Sequence, residues 1–413
     1  MGELQVEVEP SEVGLDGQRL LRLGAHLDRL VTAGRIPGWL AVVGRGGKIT
    51  YLGTGGYRHV EEQLPVEVDT IFRIYSMTKP VTSVAAMMLL EAGAFELTTP
   101  VGDLIPSFRE SRIFVGGSDV KPVTVPAREP IRIWHLLTHT SGLTYGFHRV
   151  HPVDALLRQA GYEWSFPDDV DLATAVDAIA AQPLLFEPGT EWNYSLSTDV
   201  LGRVVEIASG TTLDRFLADR IFSPLGMTDT SFGLAGPESP DAGRLARLYA
   251  VTPTGKLVPY DVLGNLFLRP ARLPSGGGGL LSTAADYHRF ASMLRGGGAL
   301  DGVRILGPRT VAAMTRNWLP RNADLDTFGR PLFAETPFRG VGFGLGFGVV
   351  IDSPRAAMLA SVGDYSWGGA ASTTFWVDPA EDLTCVFMTQ AFPSSALPIR
   401  SVLRQLVNQA ILT

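Results

Sequence analysis

Ile74-Tyr75-Ser76-Met77-Thr78-Lys79-Pro80 leads into Val84-Ala85-Ala86-Met87-Met88-Leu89-Leu90, a run with hardly a polar group. Apolar residues on every side predict a helix buried all round. If that helix begins near Ser76, then Ser76 and Lys79 stand three residues apart on one face, where their side-chain tips can meet. The hydroxyl then lies at the positive end of the helix dipole, which favours developing negative charge. A serine beside an amine at the mouth of a buried helix reads as a nucleophile with its base.

Ser-x-x-Lys turns up by chance about once in a chain this long, and a second copy stands at Ser118-Asp119-Val120-Lys121. Context separates the two. The second copy lies between Gly116-Gly117 and Pro122, in a segment that reads as loop. Of 35 basic residues only Lys48, Lys79, Lys121 and Lys256 are lysines, and arginine cannot deprotonate in a protein. On spacing alone, a helix-start serine with a lysine snorkelling to solvent fits equally well.

The 413 residues leave room for one large domain or two. Hydrophobic residues at 45% and charged residues at 19% describe a globular chain. A net charge of -7 and a pI near 5.6 argue against nucleic acid as the main partner. Cys385 is the single cysteine, so no disulfide forms within the chain. The acidic start, Met1 to Glu7, lacks the basic residues and apolar core of a secretion signal. With no uncharged apolar run of about 18 residues, the expectation is a soluble, cytoplasmic protein with no membrane partner.

Leu20, Leu21, Leu23, Leu27, Leu30 and Val31 recur at helical spacing until Gly34. Two apolar runs, residues 39–43 and 49–52, flank Arg45-Gly46-Gly47-Lys48, a hairpin signal. Another short strand, residues 71–74, leads into Ser76. Prolines and Gly116-Gly117 then punctuate an irregular crossing, after which helices dominate: residues 131–138, ended by His139-Thr140-Ser141-Gly142, then 171–181, then 199–208 with Gly210 behind it. Sheet returns after Pro274. A glycine turn, Ser275 to Gly279, feeds a strand, and Ser282 or Thr283 caps a helix over 284–294. From Gly340 to Val349 glycine alternates with Val, Phe or Leu, which predicts one strand whose glycine face is packed very closely. Residues 375–377 and 384–388 bracket a turn as an antiparallel hairpin, and a helix over about 398–411 closes the chain. These elements predict a discontinuous α/β domain, 1–96 plus 275–413, interrupted by a largely helical domain, 97–274.

Taken in order, Ser76-Met-Thr-Lys79, Leu136-Leu-Thr-His-Thr-Ser-Gly-Leu143, Phe186-Glu-Pro-Gly-Thr-Glu-Trp-Asn-Tyr-Ser195, the Gly276 to Asp286 segment and Ser366-Trp-Gly-Gly369 resemble the serine β-lactamase and penicillin-binding-protein superfamily. Within it the chain is similar to the family VIII carboxylesterases. The resemblance implies a class C β-lactamase-like fold, α/β plus all-α, with an antiparallel sheet flanked by helices and the active site between the two domains. It implies Ser76 as the nucleophile of an acyl-enzyme, Lys79 close by, and Tyr194 as a catalytic tyrosine sharing the proton with Lys79. It also implies an oxyanion hole from the backbone N–H groups of Ser76 and Ala370. Which of Lys79 and Tyr194 takes the first proton stays open.

Class C enzymes carry Tyr-x-Asn and Lys-Thr-Gly, whose asparagine and lysine bind the substrate amide and carboxylate. Here those positions are Leu196 and Trp367. Tyr75, Leu196, Trp367, Gly368 and Gly369 are therefore the candidate substrate pocket, apolar and suited to uncharged short-chain esters. An acyltransferase of the same fold, or a β-lactamase or D-Ala-D-Ala peptidase, is the alternative. No metal or organic cofactor is expected: His135 and His139 have zinc-pair spacing, but Leu136 replaces the glutamate that motif needs, and turn or cap roles fit them better. The absence of Gly-x-Ser-x-Gly argues against an α/β-hydrolase elbow. The glycine run at Gly276 reads as a structural turn on the site's rim, and Cys385, in an apolar strand, as inert packing. The sequence leaves the oligomeric state open.

Overall fold

The computed structural model describes residues 4–167, 169–330 and 338–412; the expected domain ranges also take in residues 1–3, 168, 331–337 and 413, which lie outside these. Its backbone is an eight-stranded sheet in the spatial order Val341–Phe343, Gly348–Val350, Tyr365–Gly368, Thr374–Asp378, Leu383–Met388, Gly38–Arg45, Lys48–His59 and Leu64–Pro65. Every pairing in it is antiparallel. Gly46 and Gly47 turn the first predicted hairpin at positive φ, which glycine adopts without a Cβ clash. Leu383–Met388, from the second predicted hairpin, pairs back onto Gly38–Arg45, so strands from opposite ends of the chain meet in the middle of the sheet.

Both faces are covered. Trp39, Ala41, Val43, Trp376, Cys385 and Phe387 pack under the first and last helices, Gly17–Thr32 and Ile399–Asn408. Leu40, Val42, Phe375, Val377 and Val386, one residue out of step, join Tyr287 and Phe290 of the helix Ala284–Arg295. A strand buried on both faces reads as a continuous apolar run, which is why these strands stood out. Helix starts are marked by side-chain caps: Asp16 accepts from Arg19 N–H at 3.1 Å and Thr283 from Asp286 N–H at 3.2 Å, each worth about 1 kcal/mol.

The serine helix, Thr78–Glu91, is sandwiched between this sheet assembly and the helix Ser197–Ser209. Val81, Val84, Ala85 and Ala86 have no exposed surface, and burying each large aliphatic side chain contributes about 1.5–3 kcal/mol. Pro80 sits in the first turn, where its missing N–H costs nothing. One apolar cluster runs from Val42 and Phe375 through Val84 to Val200 and Val204. No helix among the described residues is long and apolar enough to cross a membrane.

Two expectations change. Gly340 to Val349 is a hairpin, Val341–Phe343 against Gly348–Val350, with Gly346 turning at φ +102°. The close packing read from its glycines is present: a Cβ on Gly342 would stand 2.3 Å from the Asn317 side chain, and one on Gly344 2.0 Å from the Met314 carbonyl oxygen. Within 97–274, the predicted helices are joined by two strand pairs. Arg112–Gly117 pairs with Pro122–Pro126, and Tyr249–Val251 lies between Leu257–Pro259 and Ala391–Phe392 of the C-terminal segment.

Candidate active site

Pairing between distant parts of the chain brings the site together. Phe72–Arg73 pairs with Leu281–Ser282, and Ile74 N–H donates to the Leu280 carbonyl at 3.1 Å, which sets the glycine turn beside the start of the serine helix. Ser76 lies in a 3-10 turn, Tyr75–Met77, that continues into that helix. Tyr75 takes φ +42°, a left-handed conformation that costs a non-glycine residue on the order of 1–3 kcal/mol and collects at functional sites. Its ring is wedged edge-on against Phe267, with centroids 5.7 Å apart.

Lys79 is 2% exposed. Its ammonium donates to Ser76 Oγ at 3.3 Å, to Tyr145 Oη at 2.9 Å and to the Gly277 carbonyl at 2.6 Å. All three donors of the ammonium are thus used, and one points at the serine. Burial pushes the Tyr145 hydroxyl well above the ordinary phenol range, with the charge of Asp199 and Tyr194 adding to it. Tyr145 is therefore a neutral phenol at the lysine.

Tyr194 reaches the same place differently. The Lys79 nitrogen lies 4.6 Å from the centre of the Tyr194 ring, a cation–π contact. The Tyr194 hydroxyl accepts from the Trp367 indole N–H at 3.2 Å, its one hydrogen-bond partner among the described residues. The structure therefore brings Ser76, Lys79, Tyr194 and Trp367 together, but the hydroxyl bonded to Lys79 is that of Tyr145. His139 packs against Tyr194, with centroids 5.0 Å apart, and its Nδ1 meets Ser195 Oγ at 3.2 Å. Burial, then the charges of Lys79 and His148, hold His139 neutral.

Behind the lysine stands a buried carboxylate. Asp199 accepts from Ser275 Oγ at 2.6 Å and from Gly277 N–H at 3.0 Å, fixing the turn whose Gly277 carbonyl holds Lys79. Burial raises the Asp199 pKa, opposed by the Lys79 charge and these hydrogen bonds. A Cβ on Gly277 would lie 2.4 Å from Asp199 Oδ2, so glycine is required there. The turn expected on the site's rim is in direct contact with Lys79.

Ser76, Tyr75, Tyr145, Tyr194, Leu196, Trp367, Gly368, Gly369 and Ala370 all line one cavity of about 560 Å³. Phe147 and Trp164 stack 4.2 Å apart in its wall. Leu196, 4% exposed, opens the helix Ser197–Ser209, and Trp367 lies on the strand Tyr365–Gly368. The walls are largely apolar, and such a site binds an uncharged group more readily than an ion.

Residues outside the site take plainer roles. Ser118 accepts from the N–H groups of Val120 and Lys121 in the exposed turn between the strands Arg112–Gly117 and Pro122–Pro126. His135 Nδ1 accepts from Arg132 N–H at 3.0 Å, a helix cap. No group of three or more His, Cys, Asp or Glu among the described residues is placed to hold a metal ion. Cys385 is buried, and burial pushes its thiol pKa well up. Sequence reasoning missed Tyr145, although it stands two residues beyond the motif ending at Leu143, and missed Asp199, one turn beyond Tyr194.

Residues 23–409 match the family model described as Beta-lactamase. Protein Rv1367c of Mycobacterium tuberculosis (strain ATCC 25618 / H37Rv) is 36% identical over 386 residues, covering 92% of this chain and 91% of that protein. Esterase EstB of Burkholderia gladioli is 32% identical over 416 residues, covering 97% of this chain and 98% of its own. Among solved structures, EstCE1, described as a hydrolase with promiscuous acyltransferase activity, superposes with a TM-score of 0.79 at 26% identity, over 96% of this chain and 99% of its own.

Proposed function

The chain belongs to the Beta-lactamase family, and on that premise we propose that it is a serine carboxylesterase cleaving uncharged, short-chain esters through an acyl-enzyme on Ser76. The observation that carries this reading is the three-point hold on Lys79, by Ser76 Oγ, Tyr145 Oη and the Gly277 carbonyl. In its neutral form the lysine takes the serine proton as Oγ attacks the ester carbonyl. The N–H groups of Ser76 and Ala370 receive the resulting oxyanion. Tyr145, bonded to Lys79, and Tyr194, against its face, supply the hydroxyls through which the proton reaches the departing alkoxide. Water then repeats the sequence on the acyl-enzyme and frees the acid.

Leu196 and Trp367 support the ester preference, because neither pairs with a substrate carboxylate. Similarity to an esterase over nearly the whole chain agrees with it. Membership of the family VIII carboxylesterases, a cytoplasmic location, and a division into 1–96 plus 275–413 and 97–274 with the site between them belong to the same proposal. The pairing of Tyr249–Val251 with Ala391–Phe392 makes the boundary near 274 less sharp than the glycine turn suggested. A second reading, acyl transfer to an acceptor alcohol, is favoured by a cavity of about 560 Å³, which leaves room beside a short acyl chain for more than water. Both readings require Ser76.

Ser76→Ala tests them against the decoy. It should fold normally and lose ester turnover by several orders of magnitude, whereas Ser118→Ala should retain it. Product analysis with added alcohols then separates hydrolysis from transfer. An inactive Ser118→Ala with an active Ser76→Ala would misplace the site altogether.

A further inference from the structure

The loop after Trp367-Gly368-Gly369 is held by several backbone hydrogen bonds. Gly369 N–H donates to the Thr373 carbonyl at 2.8 Å, and the Ala370 carbonyl accepts from Ser394 N–H at 2.8 Å. The Gly369 carbonyl accepts from the Arg400 guanidinium at 2.7 Å and from Ser372 N–H at 3.1 Å, and the same guanidinium nitrogen donates to the Thr373 carbonyl at 3.1 Å. Ala370 N–H, like the N–H groups of Ala371 and Thr373, has no hydrogen-bond partner among the described residues, and of the three it is the one carried by the peptide that Arg400 holds. Backbone donors left over in a folded loop are uncommon.

The Gly369–Ala370 peptide is trans, so its carbonyl and its N–H point in opposite directions. A guanidinium that holds the carbonyl, at a shorter distance than Ser372 N–H does, therefore helps to set the aim of the N–H. It also draws electron density from that carbonyl, which strengthens the N–H as a donor. The packing leaves little freedom: a Cβ on Gly368 would lie 2.4 Å from Arg400 Cζ, and one on Gly369 2.3 Å from the Ile74 carbonyl oxygen. These approaches give both glycines of Trp367-Gly368-Gly369 a reason.

We propose that Arg400 is a positioning residue for the oxyanion hole, holding the Gly369–Ala370 peptide so that Ala370 N–H faces the oxygen of the tetrahedral adduct. This rests on the reading of Ser76 as nucleophile and Ala370 N–H as an oxyanion donor. Arg400 itself does not touch the substrate.

The test is Arg400→Met, which keeps the stem and removes the donors, beside Arg400→Lys, which keeps a charge but not the planar fork. We expect kcat on a butyrate ester to fall about 10- to 100-fold in Arg400→Met, up to the roughly 10²-fold lower end of removing a whole oxyanion donor, and less in Arg400→Lys. KM should stay within about threefold, as for an interaction made only in the transition state. The inhibition constant of an alkylboronic acid, which forms a tetrahedral adduct on serine, should rise by the same factor. Guanidinium ion added to Arg400→Ala should restore part of kcat. A raised KM with kcat intact, or no change in either constant, would overturn the proposal. If Arg400→Met does not fold, the kcat and boronate arms on Arg400→Lys decide. A dead Ser76→Ala beside an unimpaired Arg400→Met would sink this inference alone, while an active Ser76→Ala would sink the reading beneath it.

Discussion

The Lys79 ammonium lies closer to the Tyr145 hydroxyl, at 2.9 Å, than to the Ser76 hydroxyl, at 3.3 Å. Lys79 is therefore shared between Ser76 and a buried phenol that comes from the loop after the helix Ile133–Leu137. Tyr194 meets the same ammonium with its ring face. Tyr145→Phe and Tyr194→Phe should each lower kcat on a butyrate ester by about 10²-fold, the lower end of acid–base effects. The double mutant should be little worse, because groups acting as a unit are not additive. Steady-state kinetics on the four proteins decide the matter. A Tyr145→Phe enzyme of near-normal kcat would remove that hydroxyl from proton transfer, and a near-normal Tyr194→Phe would leave Tyr145 as the working tyrosine.

Lys79→Arg keeps the positive charge but has no accessible neutral form. It should collapse hydrolysis nearly as far as Lys79→Ala, by three or more orders of magnitude on the scale seen when members of a catalytic unit are removed. Near-normal rates in Lys79→Arg would show that the residue acts only as a charge.

Leu196 and Trp367 offer a substrate carboxylate no partner on the largely apolar walls beside Ser76, and an unpaired ionised carboxylate is costly to bury. The ratio of kcat/KM for a butyrate ester to that for benzylpenicillin, on one preparation, should exceed about 10², equivalent to roughly 2.7 kcal/mol of discrimination. Slow opening of a chemically activated cephalosporin would not affect this, since a reactive ring needs less help. Equal or better efficiency on the penicillin would leave a β-lactamase with an unfamiliar carboxylate pocket.

Stability should carry a pH signature from Asp286. Burial pushes its carboxyl up to about 6, against about 3.9 in an unfolded chain. Below pH about 4 both states hold the proton. As pH rises from about 4 to about 6 the unfolded chain releases it first, so the folded state loses stability across that window. Asp286→Asn keeps an oxygen for Asp229 N–H and for the Thr230 hydroxyl, both at 2.8 Å, and never ionises. It should be more stable than the parent at pH 7.5, by about 1–2 kcal/mol after allowing for relaxation, and indistinguishable from it at pH 3.5. Thermal melts at the two pH values check this, and a lower Tm for the variant at pH 7.5 would contradict it.

What could be read from the sequence was local. Ser76 and Lys79 were legible because a three-residue spacing on a helix is contact, and Thr283 because a cap is defined by the residues next to it. The strands Gly38–Arg45 and Leu383–Met388 were legible because burial on both faces leaves an unbroken apolar run. Tyr145 lies 66 residues from Lys79, and Arg400 31 from Gly369. Contacts at such separations are set by how the fold closes, and no periodicity announces them. Arg112–Gly117 was missed because its mostly exposed, glycine- and proline-flanked partner strand buries no apolar face. Alternation from Gly340 to Val349 is the same in a strand and in a hairpin, and the φ of Gly346 makes the difference.

The central claim is that Ser76 carries the acyl group. The most direct measurement is to treat the protein with a fluorophosphonate, digest it and map the adduct by mass spectrometry. The account predicts one modified peptide, containing Ser76, with labelling abolished in Ser76→Ala and slowed in Lys79→Arg. An adduct on Ser118 or on any other serine, or undiminished labelling of Ser76→Ala, would contradict it.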